Sequence, residues 1–299
     1  MVLKAAGFFA AMSAIGIPTT RQATAQSGGT LAGTWIEAEN VGGFTATQDA
    51  SVFQADFPFY AAAPHWHGDA GPGLVEMSFS ADGVSYTEPI LVGQAIADAG
   101  PDDRDGRAFG ELVFTDASSF IQYRPLDVDG NPTQLAGLAF TYIDATGGPT
   151  VDDVFAAAVA PSIDRPPVVS RAQWGAGLAY GGTDQAPSRW SPSYRTVEHV
   201  IIHHTVTPNF QSPLVAMRSI HYYHAITRGW GDIGYNYLVD YLGNVYEGRY
   251  GGENVIAGHA FQYSRGSAGI ATIGTFSFNS ATADAQAALI WITAWAGRN

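Results

Sequence analysis

The distribution of charge constrains this chain most. Residues 26–160 carry 19 acidic side chains against Arg104, Arg107 and Arg124, whereas residues 161–299 balance eight acids against nine arginines. A break this sharp, in a chain of 299 residues, points to two domains of ordinary size. The acidic part repels anionic surfaces, so any polyanion has to be met by the second part. The formal net charge is -13, and the clustered Lys and Arg that phosphate contacts require are missing, which argues against nucleic-acid binding. A hydrophobic fraction of 46% with only 14% charged residues excludes wholesale disorder. The cysteine count is 0, so disulfides, Cys-ligated zinc and a Cys nucleophile are excluded within these residues.

The start of the chain carries an address. Lys4 precedes an apolar run from Ala5 to Ile17, and Ala23-Thr24-Ala25 follows as an A-x-A cleavage signature. This pattern predicts a secretory signal peptide over residues 1–25 and a secreted, extracellular or cell-wall location. The run is shorter than the roughly 20 apolar residues a membrane span needs, so no transmembrane segment is expected. Residues 149–167, bounded by Gly-Gly-Pro and Pro-Pro, suit an interdomain linker whose apolar centre can pack on either domain.

Residues 30–148 predict an all-β, sandwich-like domain. Apolar and polar positions alternate on either side of Asp82-Gly83, a hairpin signal, and the alternation returns at the spacing of a β-sandwich. His65 and His67 flank Trp66 on one strand face, as a metal pair would. With no third ligand nearby the better expectation is a strand-end surface feature. Asp102, Asp103 and Asp105, or Asp127 and Asp129, lack the ligand spacing of a calcium loop and read as solvated turns.

From Val168 onward strands and helices alternate, which makes this half α/β. Residues 197–206 are apolar on both faces and predict a central, doubly covered strand ending in His203 and His204. Alternation along a strand sends those two rings to opposite faces, so one of them looks into a given site. A helix follows with Leu214, Met217 and Ile220 in register, Ser212 at its N-cap and Pro213 at its first position. His221 and His224, three apart on that helix, form a second candidate metal pair, although no HExxH pattern supports it and half-buried packing is the alternative. Residues 229–250 predict a hairpin turning at Leu242-Gly243-Asn244. A further strand over residues 269–276 and a helix over residues 281–297 complete the half.

The blocks SRAQWGA (170–176), VIIHHT (200–205), RSIHYYH (218–224), GWGDIGYNYLVD (229–240), GNVYEGR (243–249), AGHA (257–260) and GSAGIATIGTF (266–276) stand in the order found in peptidoglycan recognition proteins. These belong to the type-2 N-acetylmuramoyl-L-alanine amidases, and residues 168–299 resemble them. The resemblance implies a mixed sheet flanked by helices, with a groove for peptidoglycan or muropeptides as partner. It also implies zinc as cofactor, hydrolysis of the amide between muramic acid and L-alanine, and a chain expected to act as a monomer. Carried over residue by residue, His203 is a zinc ligand and Tyr235 assists catalysis beside the metal. His259 lies in the substrate groove, and Trp230 and Arg249 are substrate-binding or supporting positions. The chemistry is coherent: an open-coordinate zinc supplies an activated water, and a tyrosine hydroxyl can stabilise the developing oxyanion.

Two departures accompany the resemblance. The family's late block with a second histidine and a cysteine or aspartate ligand does not occur before Asn299, which predicts a domain cut short at its C-terminus. Ser264 and Ala268 stand where the family has asparagine and isoleucine. The first expectation is therefore a secreted zinc amidase, the alternative a module that binds muropeptide without cutting it. A third, an interaction protein acting through its acidic domain, leaves the HHT and GY blocks unexplained.

Overall fold

The computed structural model describes residues 32–37, 50–68, 72–95, 106–155 and 165–298. The signal-peptide expectation and Asp102, Asp103 and Asp105 lie outside the described residues.

In the first unit, β1 (Ala32–Glu37), β2 (Ser51–His67), β3 (Leu74–Ser80), β4 (Ile90–Gly93), β5 (Arg107–Phe109), β6 (Val113–Leu126) and β7 (Ala139–Asp144) form one antiparallel sheet. Its order is β1-β7-β2-β6-β3-β4, with β5 paired to β2. The sequence predicts two packed sheets, whereas the described strands make a single one. The register of β2 against β6 shifts between Gln54 and Phe59 and again before Ala61, and such irregularities bend a strand and raise its twist. The bent sheet closes over an aromatic core in which Phe53, Phe57 and Phe59 all pack on Tyr142, and Phe59 meets Phe79 edge-on. His65 is wholly buried beside Phe109, while His67 is exposed. The surface expectation therefore fails for His65, because β2 is flanked there by both β5 and β7. Asp127 Oδ1 accepts from the backbone N–H groups of Asp129 and Asn131, a solvated turn.

In the second unit, β8 (Val168–Val169), β9 (His199–His204), β10 (Tyr237–Val239), β11 (Val245–Glu247) and β12 (Ser267–Thr272) form a mixed sheet of order β8-β11-β10-β12-β9. Before it stands α1 (Val151–Phe155), which starts at Thr150, whose hydroxyl and amide both bond Asp153. Val154 buries itself with Val169 and Trp174 in the second unit's core. Next comes α2 (Arg171–Trp174), capped by a reciprocal Ser170–Gln173 pair. The two sheet faces are covered by α3 (Pro213–Tyr222), which continues as a π-turn over Tyr223–Thr227, and α4 (Ala283–Ala296). Alternation decides which residue meets which helix. Leu238, Tyr246 and Ala271 pack with Leu214, Met217 and Ile220 of α3, whereas Tyr237, Val239 and Ile270 pack with Ala285, Ala288 and Ile292 of α4.

The strand β9 pairs with β12 alone and lies at the sheet edge among the described residues. Ile202 is 49% exposed, so the expectation of a central, covered strand is corrected. A Val/Ile run marks a strand whose faces meet apolar surface, and a groove wall satisfies that as well as a covered core does.

The two units are packed together. Ala61 and Ala63 of β2, with Ile143 and Ala145, share a buried cluster with Tyr222 and Tyr223. Small side chains on that face of β2 let α3 approach closely, while Ala62 between them points into the first core. The guanidinium of Arg218 donates to the carbonyls of Ala145 (3.0 and 2.9 Å), Pro149 (3.1 Å) and Trp174 (3.2 Å). The hydroxyl of Tyr223 donates to the carbonyl of Gly110 at 2.5 Å.

Candidate functional site

The parallel pairing of β9 with β12 sets His203 opposite Ala271. Beside β12 runs the segment leading into β10, where Asn236 makes three short contacts. Its amide N–H donates to the Gly269 carbonyl, its Oδ1 accepts from the Gly269 N–H, and its Nδ2 donates to the Val255 carbonyl, all within 2.8–2.9 Å. Tyr235 is thereby fixed with its ring 5.5 Å from that of His203 and 5.8 Å from that of His224.

His259 completes the group. Its Nδ1 lies 3.0 Å from His203 Nε2, and its Nε2 lies 3.2 Å from Ser267 Oγ. The proton of the Ser267 hydroxyl is committed to the Tyr263 carbonyl at 2.6 Å, so this oxygen accepts from His259 Nε2–H. That tautomer leaves His259 Nδ1 as the acceptor and makes His203 Nε2 the donor. Burial, then the adjacent His203, push the His259 imidazole down to about 4, so it is neutral at physiological pH. The close approach depends on Gly269, because a Cβ there would sit 2.2 Å from His259 Cγ.

A cavity of about 510 Å³ opens over His203 and Tyr235, while His259, expected in the groove, is 1% exposed and is not among its lining residues. His203, His204, Tyr223, His224 and Tyr235 line it, together with Ile202 and Phe276 and, from the first unit, Ala95, Glu111 and Leu112. Both histidines of the pair thus border one cavity, contrary to the expectation that only one of them looks into a given site. At a sheet edge the space wraps around the strand end, and His204 Nδ1 there accepts from the Phe276 N–H at 2.9 Å. His224 is neutral, held well below the ordinary imidazole value by burial first and by Arg228 second. Its Nδ1 accepts from the Gly234 N–H.

Trp230 and Arg249 lie behind the cavity rather than along it. Trp230 is buried and stacks on His224 at 4.6 Å, with the Arg228 guanidinium 4.3 Å above its ring. Arg249 is buried against Asp232 and the Trp190 carbonyl. His221 and His224, the alternative metal pair, are spent on separate neighbours: His221 faces Asp232 at 3.2 Å and the Trp174 and Tyr180 rings.

Among the described residues no three His, Cys, Asp or Glu side chains converge as a metal site. A catalytic zinc takes three protein ligands, and His203 Nε2 is already engaged with His259. The donors present therefore do not fit a complete zinc site.

Residues 193–299 match the family model described as N-acetylmuramoyl-L-alanine amidase. The peptidoglycan-recognition protein SC2 of Drosophila simulans is 38% identical over 119 residues, which are 38% of this chain and 59% of that protein. The second unit belongs to the N-acetylmuramoyl-L-alanine amidase family. A human N-acetylmuramoyl-L-alanine amidase is 33% identical over 119 residues, 38% of this chain and 19% of its own length. The solved structure of Drosophila PGRP-LB is 32% identical, covering 42% of this chain and 71% of that one at a TM-score of 0.36. The chain thus spans 59% of the length of the SC2 protein, short of two thirds.

The second unit also holds a buried ionic network that motif reading does not single out. Asp232 contacts Arg171 at 2.9 Å and Arg249 at 2.7 Å, and it accepts from the Tyr250 N–H. Arg171 also pairs with Asp184 and bonds the Gly248 carbonyl. Against the opposing effect of burial, the His221 hydrogen bond and then the Arg171 and Arg249 guanidiniums hold the Asp232 carboxyl far below the usual carboxylate range. This network anchors the loop between α3 and β10, which carries both Trp230 and Tyr235. Glu111 and Leu112 are among the cavity residues that sequence reading misses, since nothing local marks them.

Proposed function

We propose that the amidase-family unit binds peptidoglycan fragments in the cavity over His203 and Tyr235. The observation that carries this is the meeting of the family's HHT histidine, GY tyrosine and GHA histidine at one place. There an imidazole and a phenol border an apolar-walled space of about 510 Å³, suited to a sugar–peptide ligand whose faces are apolar and whose edges are polar. A secreted, cell-wall location follows from the leader-like residues 1–25. The test is co-sedimentation of the whole chain with insoluble peptidoglycan. His203→Asn combined with Tyr235→Phe should lower binding at least tenfold, and binding that survives both changes removes this cavity from the reading.

The second reading, hydrolysis of the muramoyl–L-alanine amide, is supported by the position of the Tyr235 ring beside His203. A hydroxyl there can donate to an oxyanion on an amide carbon, a contribution of roughly 10²–10³ in rate. The donors among the described residues do not complete a catalytic zinc site. Release of stem peptide from muramic acid, measured by chromatography with and without added zinc, separates the two readings.

A further inference from the structure

The loop from β9 to α3 holds a valine in a backbone conformation that valine disfavours. Val206 adopts φ 55° there, and of the four non-glycine residues with positive φ among those described it alone is β-branched. A left-handed backbone suits glycine or asparagine and is a costly outlier for a β-branched side chain. Such strain persists only where the surroundings over-determine it, and here they do. The Thr205 N–H donates to the Thr272 carbonyl at 3.0 Å, the Gly274 N–H donates to Thr205 Oγ1 at 3.0 Å, and Thr275 Oγ1 donates to the Thr207 carbonyl at 2.9 Å. The hydroxyls of Thr205 and Thr207 lie 2.8 Å apart, and Thr207 is buried. Both neighbours of Val206 are thereby stapled to β12 and the segment after it, which leaves the residue between them little freedom.

Core packing does not account for this conformation, because Val206 is 47% exposed. It lines the cavity instead, together with the exposed Ile202 and with Phe276. These apolar residues border the same space as the rings of His203, His204 and Tyr235. We infer that Val206 is held in its strained conformation to set an isopropyl group against a methyl-bearing part of the peptidoglycan fragment, so that the chain gives up stability for affinity at this point. This rests on the binding reading above. An exposed isopropyl group gains by being covered with another apolar group and offers nothing to a charged one. The methyl can belong to the N-acetyl group, the lactyl ether or the alanine of the stem peptide.

The experiment measures the thermal midpoint of the whole chain and its calorimetric affinity for muramoyl dipeptide, in the parent and in Val206→Asn, Val206→Gly and Val206→Ile. Asparagine adopts the left-handed conformation readily, so Val206→Asn should raise the midpoint by about 2–4 °C. Val206→Gly should at least match the parent, its relief of strain being offset by a freer unfolded chain. Both should bind the dipeptide about fivefold more weakly, the worth of covering the exposed half of a valine side chain. Val206→Ile, which keeps the branch and the apolar surface, should retain the parent's affinity. Three analogues, each lacking the acetyl, lactyl or alanyl methyl, identify the group that is covered: the parent should bind one of them more weakly, and Val206→Asn should not distinguish it from the dipeptide. A midpoint that does not rise in Val206→Asn, or an affinity that does not fall in Val206→Asn and Val206→Gly, overturns this inference and leaves the binding reading standing. No binding of any probe by the parent chain overturns both.

Discussion

Replacing Gly269 by alanine tests the geometry of the site with a single methyl group. The new Cβ would lie 2.2 Å from Cγ, 2.4 Å from Cδ2 and 2.6 Å from Nδ1 of His259. Restoring an ordinary contact of about 3.4 Å moves that ring by about 1.2 Å, in a place where His259 is 1% exposed and close packing leaves no slack. The 3.0 Å contact to His203 and the 3.2 Å contact to Ser267 are then lost. Two hydrogen bonds at about 1 kcal/mol each, with an overpacking cost of about 1–3 kcal/mol, give roughly 3–5 kcal/mol. Urea unfolding of the whole chain reads this loss, and NMR titration of the imidazoles reads its origin. His259, held down to about 4 in the parent, should titrate nearer its ordinary value once displaced. The decisive control is the cycle with His259→Ala, which removes the ring that the methyl strikes. The double variant should be more stable than the two single losses added together by at least 1 kcal/mol. Simple additivity of the two losses would refute the argument that Gly269 exists to seat His259.

Asp232→Asn should cost about 3–5 kcal/mol, because it leaves two buried guanidiniums facing a neutral amide. Thermal unfolding checks it, and a loss below 1 kcal/mol would mean that Arg171 and Arg249 find other anions. His65 is pushed down to about 3, first by burial and second by Arg107, so between about 6.5 and 3 the unfolded chain binds a proton that the folded chain refuses. Stability should therefore fall as pH drops through that window, by at most about 1.4 kcal/mol per pH unit from this group. His65→Phe should flatten that part of the urea-measured pH profile, and an unchanged slope would place the effect elsewhere.

Much of the second unit was legible in its sequence. The apolar spacing of α3, the Pro213 start, the Leu242-Gly243-Asn244 turn and the HHT strand end all arise from local periodicity or turn chemistry, and the resemblance supplied the grouping of His203, Tyr235 and His259. What stayed hidden depends on neighbours distant in the chain. Nothing within a few residues of Ile202 tells an edge strand beside a groove from a covered one. His65 looked like a surface histidine because its burial comes from strands 40 and more residues away. Trp230 and Arg249 carry motif positions, but only packing shows that they support the cavity from behind. Glu111 sits in an unremarkable acidic stretch, and its place at the cavity mouth is a product of how two units meet.

The bonds by which Arg218 and Tyr223 fasten the first unit have one further property. Among the described contacts, the acceptors they use at Ala145, Pro149 and Gly110 are main-chain carbonyls. A carbonyl is present whatever side chain its residue bears, so this joint senses the path of the neighbouring backbone and is nearly blind to its sequence. The first unit is consequently open to extensive surface change without loosening its seat. An architecture of this kind lets the side chains of one unit vary while the seating of the other is left untouched.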